Sequence, residues 1–406
     1  MVDQKLIEFV KEHRDDDVQR LLLSSSRYPG VDIRLAASLI IAKNKISKKV
    51  PSWEKIDDLY FPDNLSVEQA SSEITAKYKK RFVKGGIVID MTGGLGVDSC
   101  FLSQSAGHLI YFERNSEICE AAKHNFNSLH ISNISVLNKE VSGENIGEIG
   151  EIATAAADLI YLDPARRDHN LKRVYAITDY QPNILLLKDH MFKLANSILI
   201  KVSPMVDISA TIRQINEIVE VHVLSVNNEC KELLFLLRKE SDSVHAVRND
   251  VKIFTVNFCK GEKSENFDFD FYKESDSLSQ YSKNELFTYL YEPNSSILKA
   301  GAFKTLGEFF GVKKLHKHTH LYTSASVVKD FPGRTFVIKE IFDFKKDVVK
   351  DLRKSYPKAN ISTRNFPLTP RELKKLLKID DGGDLYIFGC TLLSGVRKIL
   401  VCTKVS

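Results

Sequence analysis

The sequence predicts an α/β fold built on a seven-stranded, mostly parallel sheet, and three observations support this fold class. Apolar strand segments alternate with amphipathic helical segments over residues 85–240, as parallel strands with helical crossovers require. Three strand segments end in an acid, at Asp90, Glu113 and Asp163. Two closely spaced segments before residue 238 predict an antiparallel edge hairpin. Ligands of open α/β sheets bind at the carboxyl ends of the strands, so we expect the functional site there.

The first strand segment runs directly into a glycine turn. Residues 86–98 read Gly-Ile-Val-Ile-Asp-Met-Thr-Gly-Gly-Leu-Gly-Val-Asp. Glycines allow positive φ and a close backbone approach, and the helix that follows directs free N–H groups at a ligand. The pattern predicts a site for a nucleoside-containing cofactor; the alternative is a glycine-rich turn in an ordinary α/β protein. The residues predicted to bind the cofactor here are Asp90, Thr92, Gly93, Gly94 and Gly96.

The spacing of this turn distinguishes two nucleotide-type cofactors. A dinucleotide site has the pattern G-x-G-x-x-G, whereas this chain has G-G-x-G with an acid three residues before it. A carboxylate at Asp90 accepts a hydrogen bond from the methionine ammonium of S-adenosyl-L-methionine, but it repels a pyrophosphate. The turn therefore favours S-adenosyl-L-methionine over NAD.

The next two strands supply the other predicted cofactor contacts. The segment His108–Glu113 is apolar up to its final acid, which places Glu113 beside Asp90 for the ribose hydroxyls. A third strand, at residues 134–137, leads into three polar residues, each within reach of the adenine edge: Asn138, Lys139 and Glu140.

The fourth strand ends at an acid–proline motif. Residues 158–167 read Asp-Leu-Ile-Tyr-Leu-Asp-Pro-Ala-Arg-Arg. Proline cannot continue a central strand, so the chain leaves the sheet at Pro164 and Asp163 lies at the same edge as the other strand-end acids. A guanidinium at Arg166 or Arg167 is suited to hold a phosphate or to stack on a base.

Together these motifs resemble the class I S-adenosylmethionine-dependent methyltransferases, whose fold is a Rossmann-like seven-stranded sheet. The resemblance lies in residues 90–96, Glu113 and residues 163–166. It implies that the acid–proline motif binds a base whose exocyclic amine is methylated, with guanine N2 the first candidate. Such enzymes commonly have a base-stacking aromatic residue where this chain has Arg166. The catalytic residues implied are Asp163, Pro164 and Arg166.

The remainder of the chain resembles a bacterial family that joins this domain to a small ferredoxin-like piece and a C-terminal THUMP-like domain. The resemblance lies in residues 31–37, 68–73, 291–301, 319–324, 364–367 and 381–384. It implies an RNA substrate, either tRNA or rRNA. The predicted domains are an N-terminal helical domain (1–84), the methyltransferase domain (85–240), a β-hairpin linker with the ferredoxin-like domain (241–329) and the THUMP-like domain (330–406).

Composition is compatible with these predictions. The chain has 406 residues, 43% of them hydrophobic, and a net charge of +5. Since no apolar run approaches the roughly 20 residues that span a bilayer, we expect a cytoplasmic protein without membrane contact. Basic residues cluster at 43–49, 77–84 and 166–173, where they either meet RNA phosphates or form solvated faces.

Two further patterns bear on the chemistry. His316, His318 and His320 alternate, but the lysines around them disfavour a cation, so we predict no metal site. No cysteine follows the fifth strand at residues 202–205, which disfavours uracil-C5 methylation, a reaction that needs a cysteine nucleophile. The alternatives left open are a catalytically inactive RNA-binding protein on this fold and a small-molecule methyltransferase.

Overall fold

The computed structural model describes residues 4–153, 156–166, 177–239, 251–261, 263–345 and 354–405, together with residues 348 and 352. The chain divides into two compact units. The first comprises Met1–Ile218 and Leu234–Val244, and the second comprises Val219–Leu233 and His245–Ser406. Within the described part of the chain, every helix is too short or too polar to cross a bilayer.

The first unit begins with five helices, as the sequence predicts. Three of them start at an aspartate whose side chain accepts from backbone N–H groups of the first turn, which satisfies donors that have no partner inside a helix. Their apolar faces bury side chains such as Phe9, Leu21 and Ile40 in one cluster. The helices are α1 (Gln4–Glu12), α2 (Val18–Leu23), α3 (Ile33–Lys49), α4 (Asn64–Gln69) and α5 (Glu73–Lys79).

Alternating strands and helices then build the main sheet, whose central strands are buried runs of Val, Ile and Leu. Its strands are β1 (Ile87–Asp90), β2 (His108–Glu113), β3 (Ile134–Asn138), β4 (Leu159–Leu162), β7 (Ser197–Val202), β8 (Ile218–Val226), β9 (Glu229–Arg238), β10 (Lys252–Phe258) and β11 (Ser264–Asp270). A separate two-stranded ribbon pairs β5 (Ala165–Arg166) with β6 (Tyr180–Gln181). The helices between them are α6 (Val97–Ser103), α7 (Ser116–Ser128), α8 (Ile146–Ala153), α9 (Ile184–Leu194) and α10 (Ile208–Gln214).

The order of the main sheet is β11-β10-β8-β9-β7-β4-β1-β2-β3. The seven predicted strands are all present, and β10 and β11 extend the sheet beyond the predicted hairpin β8–β9. Strand β1 pairs in parallel with β2 on one side and with β4 on the other. This pairing brings the carboxyl ends of all three strands to one edge, where the glycine turn and the acid–proline motif follow them.

The second unit contains a seven-stranded sheet of order β13-β14-β12-β15-β18-β17-β16. The strands are β12 (Tyr289–Pro293), β13 (Lys313–Lys314), β14 (Tyr322–Ser324), β15 (Gly333–Asp343), β16 (Asn360–Arg364), β17 (Leu385–Thr391) and β18 (Arg397–Lys404). The helices are α11 (Phe271–Asp276), α12 (Ser295–Ala300), α13 (Lys304–Phe310) and α14 (Pro370–Leu377). Because β15 pairs with both β12 and β18, the segments predicted as ferredoxin-like and THUMP-like share this one sheet.

Candidate active site

A cavity of about 510 Å³ opens at the carboxyl ends of β1, β2 and β4, within the first unit. It has a polar floor and a wall that includes residues of α4 and the connection to α5. Eight residues predicted from the sequence to contact the cofactor or the acceptor line it: Thr92, Gly93, Gly94, Gly96, Glu113, Lys139, Glu140 and Asp163.

The three glycines of the turn are needed for different reasons. A Cβ on Gly93 would lie 1.9 Å from the Tyr111 ring, and one on Gly96 would lie 2.5 Å from the Phe126 ring. Gly94 has φ +54°, and a Cβ there would meet no atom within 4 Å. Gly93 and Gly96 therefore let the turn pack on the sheet and α7, whereas Gly94 leaves space on the cavity side. That space is what a cofactor cradled by the turn requires.

Glu113 is held at the rim of the cavity by the backbone. Its Oε2 accepts from the Gly94 N–H at 2.9 Å, and its Oε1 accepts from the Asn115 N–H at 2.7 Å. Each carboxylate oxygen has more than one lone pair, so both can still accept from ribose hydroxyls. The residue fits the predicted cofactor contact and also joins the glycine turn to the end of β2.

Asp90 lies beneath the turn, with 1% of its surface exposed. Its Oδ1 accepts from the Thr92 N–H at 3.0 Å, and its Oδ2 accepts from the Ser99 hydroxyl at 2.5 Å. Burial raises the pKa of Asp90 to about 7, although both hydrogen bonds oppose the rise. The carboxyl group thus braces the turn, and its direct contact with the cofactor ammonium stays a prediction.

The three polar residues after β3 differ in whether they face the cavity. The Asn138 amide donates to the backbone carbonyls of Glu113 and Arg114, at 2.8 and 3.2 Å. Lys139 and Glu140 line the cavity, and Glu140 forms an ion pair of 3.2 Å with Arg114. Glu140 is therefore available at the predicted adenine end, whereas Asn138 is engaged in fixing the strand ends.

Asp163 occupies the other end of the cavity, and two residues hold it. Its backbone N–H donates to the Thr92 hydroxyl at 2.6 Å, and its Oδ2 lies 2.5 Å from the Lys201 ammonium. The side chain keeps 36% of its surface exposed to the cavity. Burial disfavours the charged form and raises the pKa of Asp163, and the Lys201 ammonium opposes that rise. Thr92 thus joins the two predicted motifs directly.

The rest of the acid–proline motif is only partly described. Pro164 is buried, and Arg166 pairs through its backbone with Tyr180 in the β5–β6 ribbon. The Arg166 side chain, Arg167 and the rest of the basic cluster up to residue 173 lie outside the described residues. The ribbon brings Gln181, opposite Ala165, to the cavity wall.

Sequence reasoning missed a group of buried polar residues on the cavity floor. Asp98 accepts from the Ser71 hydroxyl at 2.7 Å, the Tyr161 hydroxyl at 2.6 Å and the Lys79 ammonium at 2.9 Å. Lys201 lies 3.5 Å from the same carboxylate. Burial alone would raise the pKa of Asp98, but the two ammonium groups hold it well below its usual range. A lysine within the apolar β7 sequence Ser-Ile-Leu-Ile-Lys-Val was the available signal.

The histidine pattern of the second unit has another explanation than metal binding. The His320 ring stacks on Phe303 at 3.8 Å, and burial lowers the pKa of His320 to about 4. The His316 ring nitrogen contacts the Asn365 amide at 3.1 Å. Among the residues that the structure describes, no three His, Cys, Asp or Glu side chains are grouped as metal ligands.

Comparison with known proteins matches two segments of the chain to domain families and the whole chain to a solved structure. Residues 289–332 match a ferredoxin-like domain family, and residues 333–404 match a THUMP domain-like family. The chain is similar to a provisionally named methyltransferase from Porphyromonas gingivalis W83, with 36% identity over 100% of both chains and a TM-score of 0.89.

More distant structures cover only part of the chain. An rRNA methylase from Streptococcus thermophilus covers 41% of this chain, and the match covers 95% of that protein, with 13% identity and a TM-score of 0.30. A Streptococcus mutans structure in complex with SAH covers 41% of this chain and 97% of its own, with 15% identity and a TM-score of 0.30. The comparison with curated proteins gives no match.

Proposed function

Because the chain belongs to the class I S-adenosylmethionine-dependent methyltransferase family with a C-terminal THUMP-like domain, we propose that it methylates RNA on a base nitrogen, with S-adenosyl-L-methionine as donor. Guanine N2 is the first candidate acceptor. The observation that carries the proposal is that one cavity contains both the open space at Gly94, at one end, and Asp163, at the other.

The residues present fit the cofactor. The space above Gly94 admits a ligand, and the Glu113 carboxylate is fixed beside it by two backbone N–H groups. Glu140 lies on the cavity wall at the end of β3. When bound, S-adenosyl-L-methionine supplies a methyl group that its sulfonium already activates. The chain's task is then to orient the two reactants, which is a large part of catalysis for such a donor.

Asp163 has the position and the charge to orient the acceptor. Its carboxylate and the Pro164 carbonyl would accept hydrogen bonds from an exocyclic NH₂ group, which turns the nitrogen lone pair toward the methyl group. Positive charge develops on that nitrogen as the N–C bond forms, and a nearby carboxylate stabilises it. After transfer the nitrogen loses one proton, and Asp163 is placed to pass it to solvent.

RNA as the substrate class rests on two supports. The match at residues 333–404 is to a THUMP domain-like family, and THUMP domains accompany RNA-modifying enzymes. Basic side chains also lie on or next to the cavity wall, among them Lys139 and Arg114. Each of these side chains forms an ion pair in the structure, Lys139 with Glu148 and Arg114 with Glu140. Contacts of such side chains with phosphates would add affinity for RNA and make it dependent on salt.

Methyl transfer to candidate substrates tests the proposal. Purified protein is incubated with methyl-labelled cofactor and, separately, with total RNA, DNA or a metabolite extract from a deletion strain. We expect label in RNA alone, and nucleoside mass spectrometry of that strain should show the loss of one methylated nucleoside, N2-methylguanosine. Label in metabolites alone would indicate a small-molecule enzyme. Cofactor binding in calorimetry without transfer to any substrate would indicate an inactive binding protein.

A further inference from the structure

Four charged side chains form what we term the buried ion cluster: Lys79, Asp98, Asp163 and Lys201. They carry two positive and two negative charges, so the cluster is balanced. The exposed fractions of the Lys79, Asp98 and Lys201 side chains are 0%, 9% and 10%. Burying four charges is costly unless each is paired and hydrogen-bonded, and here each has a partner of opposite sign.

The two lysines have different positions in the cluster. Lys79 contacts Asp98 at 2.9 Å and the Ser71 hydroxyl at 3.3 Å. Lys201 contacts Ser71 at 2.8 Å, Asp98 at 3.5 Å and Asp163 at 2.5 Å. Lys201 is thus the link between the fixed Asp98 end and the catalytic end. Its ammonium has three donors and three acceptors around it, which defines its position.

Only the Asp163 end of the cluster opens substantially to the cavity. The Asp163 side chain is 36% exposed, four times the exposed fraction of Asp98. Lys201 reaches Asp163 through Oδ2. The ion pair at Oδ2 restrains the Asp163 carboxylate, so its second oxygen, Oδ1, is the candidate to meet a substrate.

We propose that Lys201 is a positioning residue for methyl transfer, which holds the Asp163 carboxylate ionised and in one orientation so that Oδ1 meets the acceptor amine. This inference rests on the proposed function, because it assigns Lys201 a role in that reaction. Asp98, Lys79 and Ser71 serve it by holding the Lys201 ammonium in place. The role differs from simple stability, since it predicts a change in the pH dependence of the reaction.

The direction of that change follows from the neighbours of Asp163. Around it lie Lys201 and Lys79, which favour the ionised form, and Asp98, which disfavours it together with burial. Removing the Lys201 cation therefore raises the pKa of Asp163. The working form is the carboxylate, so activity falls as pH falls through that pKa. Loss of an opposite charge at this range moves such a pKa by about one to three units.

The experiment measures single-turnover methyl transfer between pH 5.5 and 9, with full-length protein, saturating cofactor and total RNA from a deletion strain. Lys201→Met should move the acidic limb upward by about one to three pH units, so that the rate falls most at the acid end of the range and recovers partly at pH 9. Lys201→Arg keeps the charge and should return the limb toward the wild-type position. Lys79→Met should lower the melting temperature and move the limb less than Lys201→Met does, because the Lys79 charge acts more weakly on Asp163 than the Lys201 charge.

A second variant keeps the test valid if Lys201→Met does not fold. The double variant Lys201→Met with Asp98→Asn removes one charge of each sign and leaves the cluster balanced. It should show an upward shift of the acidic limb that is smaller than in the single variant, because the loss of the Asp98 charge lowers the pKa of Asp163. A wild-type limb in folded Lys201→Met protein, or in the double variant if the single variant does not fold, overturns the positioning role, although RNA methylation stands. If wild-type protein labels no RNA, the proposed function itself fails, and the positioning role fails with it.

Discussion

The ends of β1 and β4 carry the same residue type at the same edge of the sheet, yet their surroundings differ. Asp90 is 1% exposed and bonds to two neutral donors, the Thr92 N–H and the Ser99 hydroxyl. Asp163 faces the cavity and pairs with an ammonium group. Nearby carboxylates of Asp98 and Asp163 add to the effect of burial in raising the pKa of Asp90.

The different surroundings of Asp90 and Asp163 indicate different roles for the two carboxyl groups. A buried carboxyl group that accepts two hydrogen bonds, as Asp90 does, fixes the backbone of the glycine turn. A carboxylate that pairs with an ammonium group through one oxygen and faces a cavity, as Asp163 does, is suited to accept a hydrogen bond from a substrate through the other oxygen. Thr92 connects the two, because its N–H donates to Asp90 and its hydroxyl accepts from the Asp163 N–H. Variants at these positions test whether the two acids have separate roles.

The largest effect is expected at Asp163. Asp163→Ala should lower the single-turnover rate by about two to three powers of ten, the range for removing one preorganised electrostatic contact, with cofactor affinity nearly unchanged. Rapid-quench methyl transfer and calorimetry measure the two quantities. Asp189→Ala is the matched control, since that side chain is 76% exposed on α9. A fully active Asp163→Ala protein would mean that the acid–proline motif only terminates β4.

A slightly smaller effect is expected on the cofactor side of the comparison. Gly94→Val should weaken S-adenosyl-L-methionine binding by about a hundredfold or more, because the side chain would occupy the cradle space. The strain of a branched residue at positive φ adds about 1–2 kcal/mol. Gly30→Val separates the two causes, since Gly30 also has positive φ and open space but lies outside the residues that line the cavity. Equal cofactor affinity for Gly94→Val and wild type in calorimetry would contradict the assignment of the turn.

The contrast between Gly94 and its neighbours also shows what the sequence could not specify. The pattern identifies three glycines, but only the structure shows that Gly93 and Gly96 are required by the Tyr111 and Phe126 rings. Those rings come from β2 and α7, and a local motif carries no information about its packing partners.

Strand ends were the most predictable part of the site. Apolar runs ending in Asp90, Glu113 and Asp163 predict that the three acids lie at one edge of the sheet, because the carboxyl ends of parallel strands lie together. The surroundings of Asp163 in the buried ion cluster were not predicted, since Lys79, Asp98 and Lys201 are distant in sequence and meet only in the folded chain. The Ser71 hydroxyl that contacts Lys201 is 130 residues from it. Extension of the sheet by β10 and β11 was missed for a similar reason, because β10 pairs with β8 from beyond the hairpin.

Thr92 tests the link between the two acids, with an intermediate effect. Thr92→Val keeps the shape of the side chain but removes the acceptor of the Asp163 N–H, and an unsatisfied donor costs about 1–3 kcal/mol. We expect turnover to fall by about tenfold if that cost is felt in the transition state. Thr92→Ser retains the hydroxyl and should stay close to the wild-type rate. Equal single-turnover rates for the Val and Ser variants would show that the two motifs work independently.

The smallest effect is expected at Asp90, and in cofactor-free protein it is an effect on stability. Its pKa is raised from 3.8 to about 7, so the folded state disfavours the charged form. The ionisation of Asp90 therefore lowers the free energy of unfolding progressively from pH 3.8 to pH 7, and this loss of stability is complete above pH 7. Asp90→Asn should therefore raise the melting temperature by a few degrees at pH 8 and by less at pH 5, measured by scanning fluorimetry without cofactor. Asp189→Asn, on the exposed surface, should give no such pH-dependent difference. Equal shifts of the melting temperature at both pH values would mean that Asp90 is already ionised at pH 5 in the folded protein. The difference between Asp90 and Asp163 would then lie in their exposure and not in their ionisation.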